Sequence, residues 1–410
     1  MKGKKFTCRS CGGSDLNLFL NLGTTPLADR LITEETLRKP EPRFRLEIAF
    51  CPACTLVQIL ETVSPELLFC EDYPYYSSFS PMILENATRN ALSIMQTREL
   101  RPDSLVVELA SNDGYLLKNY VEKKIPVLGI DPAEGPVKTA VQNQIPTIHA
   151  FFNKALAYKL IKEGKRADVI HANNVLAHVK DINDFVAGIR VLLKPNGIAV
   201  IEVPYLKNLI EKNEFDTIYH EHLCYFSISA LVQLFERHSL YLNDVKPLSI
   251  HGGSVRLYVS QRKHLGESVL SMVEVEKRLE MDRIIYYQDF SQKVETLKKD
   301  LIRLLREIKS NGKRIAAYGA AAKGATLINY TGIGTDLVDF VVDQNFHKHG
   351  CYMPGKHIKI YGIEKLYDEM PDYLLLLAWN FVDEIYEQQT EFREKGGRFI
   401  VPIPEPKILD

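Results

Sequence analysis

Four cysteines constrain this chain before anything else does. Cys8-x-x-Cys11 and Cys51-x-x-Cys54 form two pairs, with residues 12–50 between them. Two thiolates at this spacing chelate one tetrahedral ion from a single turn. Two such turns complete a four-thiolate site with no open coordination position, the pattern of structural zinc. Gly12, Gly13 and Pro52 suit tight turns around the sulfurs. A redox CxxC would need only one pair. The other cysteines, Cys70, Cys224 and Cys351, are scattered, and the odd total of seven is no disulfide framework in a reducing compartment. Residues 1–72 read as a small zinc-binding domain whose short segments bury too little apolar area to stand without such a staple. A zinc ribbon can itself bind nucleic acid, which keeps a non-catalytic binding module among the alternatives.

Charge weighs against that alternative. Lys and Arg total 51 against 52 Asp and Glu, a net charge of -1, so no dominant basic footprint for nucleic acid exists. The longest apolar run, Tyr373 to Trp379, is far short of the ~20 residues that span a bilayer. Met1–Lys5 is basic, but no apolar signal core follows it. A cytoplasmic enzyme without membrane or nucleic-acid partners is expected.

From residue 73 the pattern changes. Phe79 to Gln96 has helical spacing, with Ser80-Pro81 as cap and first residue. Strands at 104–109, 127–130, 145–148, 167–172 and 198–203 then alternate with helices at 114–122, 137–143, 154–162 and 182–193. This alternation predicts a parallel, doubly wound sheet. Residues 248–259 read as further strand, and 265–311 as an amphipathic helical connector packed on a domain. A coiled-coil partner surface is the lesser reading of the connector. A second α/β pattern starts at Lys313, with strands at 314–318, 337–342, 373–378 and 398–401 and a helix at 325–330. The expected fold class is α/β: a four-cysteine zinc module (1–72), a Rossmann-like domain with its connector (73–310), and a second Rossmann-like domain (311–410).

The first strand of the middle sheet ends in Glu108-Leu-Ala110-Ser111-Asn112-Asp-Gly114. An acid at a strand end, a small-residue loop and a closing glycine are similar to the first motif of class I methyltransferases, with Ala110 in place of the usual central glycine. The next strand ends at Asp131, where a carboxylate can bind both ribose hydroxyls of an adenosine. A dinucleotide-binding fold competes, because it too places such a loop here. Glu108 favours S-adenosylmethionine, because it would repel a pyrophosphate. The fourth strand ends in His171-Ala-Asn173-Asn174, and either Asn is a candidate for the cofactor's amino-acid end.

After the fifth strand comes Tyr219-His220-Glu221-His222. In an extended segment, Tyr219 and Glu221 would face one way and the two histidines the other; in a turn they can converge. His and Glu move protons at neutral pH, and a phenol donates to a developing oxyanion. A zinc site on His220 and His222 lacks an evident third ligand.

Together these motifs resemble the three-domain nucleotide-sugar C-methyltransferases, whose best-known members methylate C-3 of 4-keto-deoxysugars. The resemblance covers the CxxC pairs, Tyr73-Pro-Tyr75-Tyr76, the Glu108–Gly114 loop, Asn173-Asn174-Val-Leu-Ala-His178, the Tyr-His-Glu-His run, His251-Gly-Gly-Ser-Val-Arg256, and Gly319-Ala-Ala-Ala-Lys323-Gly324. It implies an enolate mechanism with His222 as base and Glu221 orienting it. Tyr219 and His178 would hold the sugar and its C-4 oxygen, and Tyr73 or Tyr76 would line the site. S-adenosylmethionine and structural zinc are the implied cofactors, and a nucleotide sugar the partner. Methyl transfer to oxygen or nitrogen of another acceptor is the runner-up. Lys323, on a loop that opens a helix, and Arg256 are candidates for the substrate's phosphates, with His251 beside them. Trp379, the only tryptophan, is expected to pack in a core.

Overall fold

Short apolar stretches set three sheets in the computed structural model, which describes residues 6–69 and 76–409 except the side chain of His251. The first sheet starts with antiparallel β1 (Asn17–Pro26), β2 (Arg43–Phe50) and β3 (Val57–Ile59). The middle sheet takes β4 (Val106–Leu109), β5 (Val127–Asp131), β6 (Thr147–His149), β7 (Ala167–Asn173) and β8 (Leu193–Pro204). The chain then returns to the first sheet through β9 (Cys224–Tyr225), which pairs antiparallel with β3. An antiparallel pair, β10 (Tyr241–Leu248) and β11 (Ser254–Ser260), completes the middle sheet.

The middle order is β10-β11-β8-β7-β4-β5-β6, with β8 to β6 parallel. Strand order reverses between β4 and β7. Ligands bind in the crevice outside the carboxyl ends of such a pair. The third sheet is built from β12 (Ile315–Tyr318), β13 (Val341–Val342), β14 (Ile360–Tyr361), β15 (Tyr373–Leu376), β16 (Arg398–Val401) and β17 (Lys407–Leu409). Its order is β14-β13-β12-β15-β16-β17, parallel except at β17.

Several expectations change in detail. Residues 248–259 are not one strand: β10 and β11 turn back at Gly252 and Gly253, both with positive φ. The expected helix 114–122 shrinks to Lys118–Val121, because turns occupy its start. The 337–342 strand contracts to its last two residues. The helix Pro81–Thr97 starts as the cap predicts, with Ser80 Oγ accepting from the Ile83 amide.

The connector folds as two helices, Glu267–Arg278 and Ile284–Ser310. The longer one buries a seam from Tyr287 through Val294 and Leu301 to Ile308. Tyr287 stacks on Phe50, with ring centroids 4.8 Å apart, and lies 5.1 Å from Phe19. The seam is therefore covered by the first sheet and by the C-terminal helix Ala322–Thr331, rather than left for a coiled-coil partner. One apolar cluster runs continuously from Cys8 to Ile403 through all three sheets. Among the described residues, no helix is long and apolar enough to cross a membrane.

Candidate active site and metal centre

The two cysteine turns share one geometry. In the first, Gly12 N donates to Cys8 O and Cys8 N to Gly13 O. In the second, Thr55 N donates to Cys51 O and Cys51 N to Leu56 O. Gly12 and Thr55 both take positive φ, which lets each turn fold back over its sulfurs. The four sulfurs lie within 4.8 Å of one another, with Cys8–Cys54 at 3.5 Å and Cys11–Cys51 at 3.6 Å. Zinc–sulfur bonds of about 2.3 Å in a tetrahedron put sulfurs about 3.8 Å apart, so this set fits one zinc ion. It is the only such cluster of His, Cys, Asp or Glu among the described residues.

At the middle crevice, the loop after β4 is shaped for close backbone approach. Ala110, Asn112 and Gly114 all have positive φ. A Cβ on Gly114 would meet Ile145 at 2.3 Å, and one on Gly129 would meet Ser111 Oγ at 2.5 Å. Asp131 accepts from Asn112 N and Ala133 N, both at 2.8 Å, which fixes its carboxylate at the end of β5. A cavity of about 480 Å³ opens here, lined by Ala110, Asn112, Asp131, Asn173, Asn174 and His178, among others. Asn173 Oδ1 is buried and unpartnered among the described residues, as a group awaiting a ligand would be. These residues fit the adenosine and amino-acid ends of S-adenosylmethionine. Glu108 lies deeper, fully buried, with neither carboxyl oxygen paired among the described residues. Burial, reinforced by Asp131, Asp113 and Glu202, raises its pKa well above the carboxylate range.

Tyr219 to His222 form a turn, not an extended strand: His222 N donates to Tyr219 O at 2.9 Å. The turn sends neighbouring side chains to different destinations. His222 Nδ1 lies 2.8 Å from the Thr217 carbonyl, and its Nε2 lies 3.1 Å from Tyr219 Oη. His178 stands edge-on to His222, with ring centroids 4.7 Å apart. A carbonyl only accepts, so Nδ1 carries the hydrogen and Nε2 is the basic nitrogen. Burial pushes His178 down to about 4 despite a contact with the Glu221 main chain, so its ring is neutral at physiological pH. His220 leaves the cluster and meets the Arg45 carbonyl at 3.3 Å and the edge of Phe44.

Glu221 also turns away. The expected orienter of His222 instead shares a hydrogen bond with Asp29 of the first module. Burial and the Asp29 charge raise the Glu221 pKa well above its ordinary value. The Thr217 carbonyl takes the orienting place. Tyr76 lies over Gly135, where an added Cβ would meet its hydroxyl at 2.6 Å, on the cofactor side of the crevice. Tyr73 and the His251 side chain lie outside the described residues.

Of the expected phosphate cations, Arg256 is engaged elsewhere, while Lys323 Nζ is buried with no hydrogen-bond partner among the described residues. Arg256 is buried against Glu202, with Nη2–Oε1 at 2.7 Å, and also donates to Asn86. Lys323 sits 5.2 Å from the Trp379 ring centroid, its Nζ buried. The loop before it is closed on itself: Asp343 accepts from Ala320 N at 2.7 Å and pairs with Lys348. Phe151, Phe152 and Lys180 also line the main cavity, and sequence reasoning missed them. The only signal for the first two was a pair of aromatics just past the third strand of a parallel sheet.

Family models match three consecutive stretches. They are described as "Putative zinc binding domain" (8–69), "Methyltransferase domain" (84–243) and "C-methyltransferase C-terminal domain" (249–404). The C-methyltransferase NovU of Streptomyces niveus is 34% identical over 405 residues, covering 98% of this chain and 96% of its own. A ubiquinone biosynthesis O-methyltransferase of Azorhizobium caulinodans is 26% identical over 107 residues, 25% of this chain and 42% of its own. The crystal structure of magnesium protoporphyrin IX methyltransferase from Synechocystis PCC 6803 with bound SAH covers 44% of this chain and 83% of its own, at 14% identity and a TM-score of 0.35. The match to NovU runs through the cysteine turns, the middle crevice and the third sheet alike, and on it the chain belongs to the C-methyltransferase family.

Proposed function

We propose that this enzyme methylates carbon C-3 of a nucleotide-linked 4-keto-deoxysugar, with S-adenosylmethionine as donor. The observation that carries this reading is the His222 contact set. A histidine whose Nδ1 is tied to a carbonyl, with its Nε2 beside a phenol and a second neutral histidine, is equipped to remove a proton from carbon. Oxygen methylation needs one base and no oxyanion partners.

A 4-keto group acidifies the neighbouring C–H. His222 Nε2 takes that proton. Tyr219 Oη donates to the enolate oxygen as charge develops on it, and the His178 ring packs against the base beside it. Ala110, Ser111, Asn112, Asp131 and Asn173 would hold the cofactor, with Asn174 at the turn beside them. When bound, S-adenosylmethionine supplies a methyl group activated on a sulfonium. The walls of the cavity, Phe152 and Val175 among them, exclude water from the carbanion.

The test has two parts. UDP-, GDP- and dTDP-linked 4-keto-6-deoxysugars are screened with labelled donor and read by mass shift, with carbon–methyl connectivity from NMR. An accepted substrate is then incubated in deuterium oxide without donor. Exchange at the acceptor carbon is expected in the wild type and about 100-fold slower in His222→Ala. Undiminished exchange in that variant removes His222 as the base, and an O–CH3 connectivity removes carbon transfer.

A further inference from the structure

The third sheet meets the middle unit at a polar contact beside the base. Trp379 begins a one-turn helix just past β15. Lys323 lies in the first turn of the helix after β12. Both therefore stand at the carboxyl edge of the third sheet, on either side of its switch point. The loop there packs closely on the residues just past β15: a Cβ on Gly319 would meet Ala378 at 2.7 Å, and one on Gly324 would meet Leu377 at 2.7 Å. This edge grips the turn Phe215–Thr217 of the middle unit. Trp379 Nε1 donates to Asp216 Oδ2 at 2.6 Å. Lys323 packs on the indole, and its charge acts on the same carboxylate without a hydrogen bond or ion pair to it. Phe215 meets Tyr330, from the same helix as Lys323, with ring centroids 5.3 Å apart.

The next residue along that turn is Thr217, whose carbonyl receives His222 Nδ1. Thr217 is pinned further by its hydroxyl bond to the Glu214 carbonyl at 2.8 Å. We propose that the C-terminal unit positions the base: Trp379 holds Asp216 with the Lys323 charge behind it, the held turn fixes the Thr217 carbonyl, and that carbonyl fixes the His222 tautomer with Nε2 free of hydrogen. Asp216, Trp379 and Lys323 are positioning residues in this scheme, and none touches the reacting carbon. The inference rests on His222 being the base, as proposed above. Burial pushes the Asp216 carboxyl up, and Lys323 and the indole N–H pull it back, as expected of a carboxylate held by these two groups.

Nitrogen-15 spectra of histidine-labelled protein read the tautomer directly, without ligand. His222→Ala assigns the signal. In the wild type, a protonated Nδ1 is expected on His222. In Trp379→Phe, which keeps a ring over Lys323 and loses the N–H, the signal is expected to broaden or average between tautomers. Carbon-bound exchange with the accepted 4-keto sugar should fall about tenfold while substrate KM holds. Lys323→Met, which keeps the aliphatic stem, is the second variant if Trp379→Phe does not fold, with the same direction expected. A wild-type tautomer spectrum in a folded variant overturns the relay and leaves the base assignment standing. Undiminished exchange in His222→Ala overturns the base assignment, while the spectrum still judges the relay.

Discussion

Glu214 holds a proton that an exposed glutamate would release. Burial pushes its pKa up from 4.5 to about 7, with Lys323 and Lys212 pulling against the shift. Between those two values, the folded chain binds more protons than the unfolded one. Stability therefore falls as pH rises from about 4.5 to about 7, and is flat above that. Glu214→Gln removes the term. Its urea midpoint should exceed the wild type at pH 8, by a free energy of at most about 3 kcal/mol, and match it near pH 4. Equal midpoints at pH 8 would mean that Glu214 is ionised without penalty. At this scale the sequence made the candidate set legible and its partners illegible. Tyr219, His222 and His178 stand in conspicuous polar runs. Asp29, which takes Glu221 away from His222, is distant in sequence and sits in an ordinary Ala-Asp-Arg stretch. A turn rather than a strand at 219–222 decides which side chains converge, and that choice depends on tertiary contacts.

The helix Pro81–Thr97 is tied to the middle sheet by a buried polar knot. Arg256 on β11 pairs with Glu202 on β8, and both bond Asn86 of the helix. Asn90 adds a longer contact to Glu202 at 3.4 Å. Ile83 of the same helix lines the cofactor cavity, so the knot also sets one cavity wall. Arg256→Met leaves Glu202 buried without its cation and should cost about 3–5 kcal/mol in urea unfolding. The double variant Glu202→Gln, Arg256→Met should recover most of that loss, because the buried charge is gone. Failure to recover would show that the arginine acts by packing alone. Helices and parallel strands were legible because their periodicity is long: the Ser80 cap and Lys154–Lys162 match to the residue. The β10–β11 turn was not, since its Gly252-Gly253 lies inside an otherwise strand-like run. Arg256 read as a phosphate ligand because sequence spacing does not reveal which strand lies alongside; in the sheet, Glu202 is its register partner.

At the scale of the whole molecule, the zinc module is built into the site instead of standing beside it. The CxxC pairs made the metal legible, but β9, only two residues long, carries no periodicity to show where the module ends. Through β9 the first sheet reaches His222, the proposed base. Ile59 N donates to the Leu223 carbonyl at 3.1 Å, and Leu223 N donates to the Ala177 carbonyl at 2.8 Å. Leu223 follows His222, and Ala177 precedes His178, so this ladder sets the spacing of the two rings. The first cysteine turn is gripped from the other side, with Asn183 Nδ2 donating to the Arg9 and Ser10 carbonyls. A metal that supplies no chemistry should therefore control the proton-transfer step. The purified chain should contain one zinc, and its removal by chelator under reducing conditions should loosen β3 and with it Leu223. Donor affinity, which rests on β4, β5 and β7, is expected to change only about threefold, while carbon-bound exchange falls more than about tenfold. Restoring zinc should restore exchange. Unchanged exchange in zinc-free protein would sever the ladder from the base, and equal loss of both functions would reduce the metal to general stability.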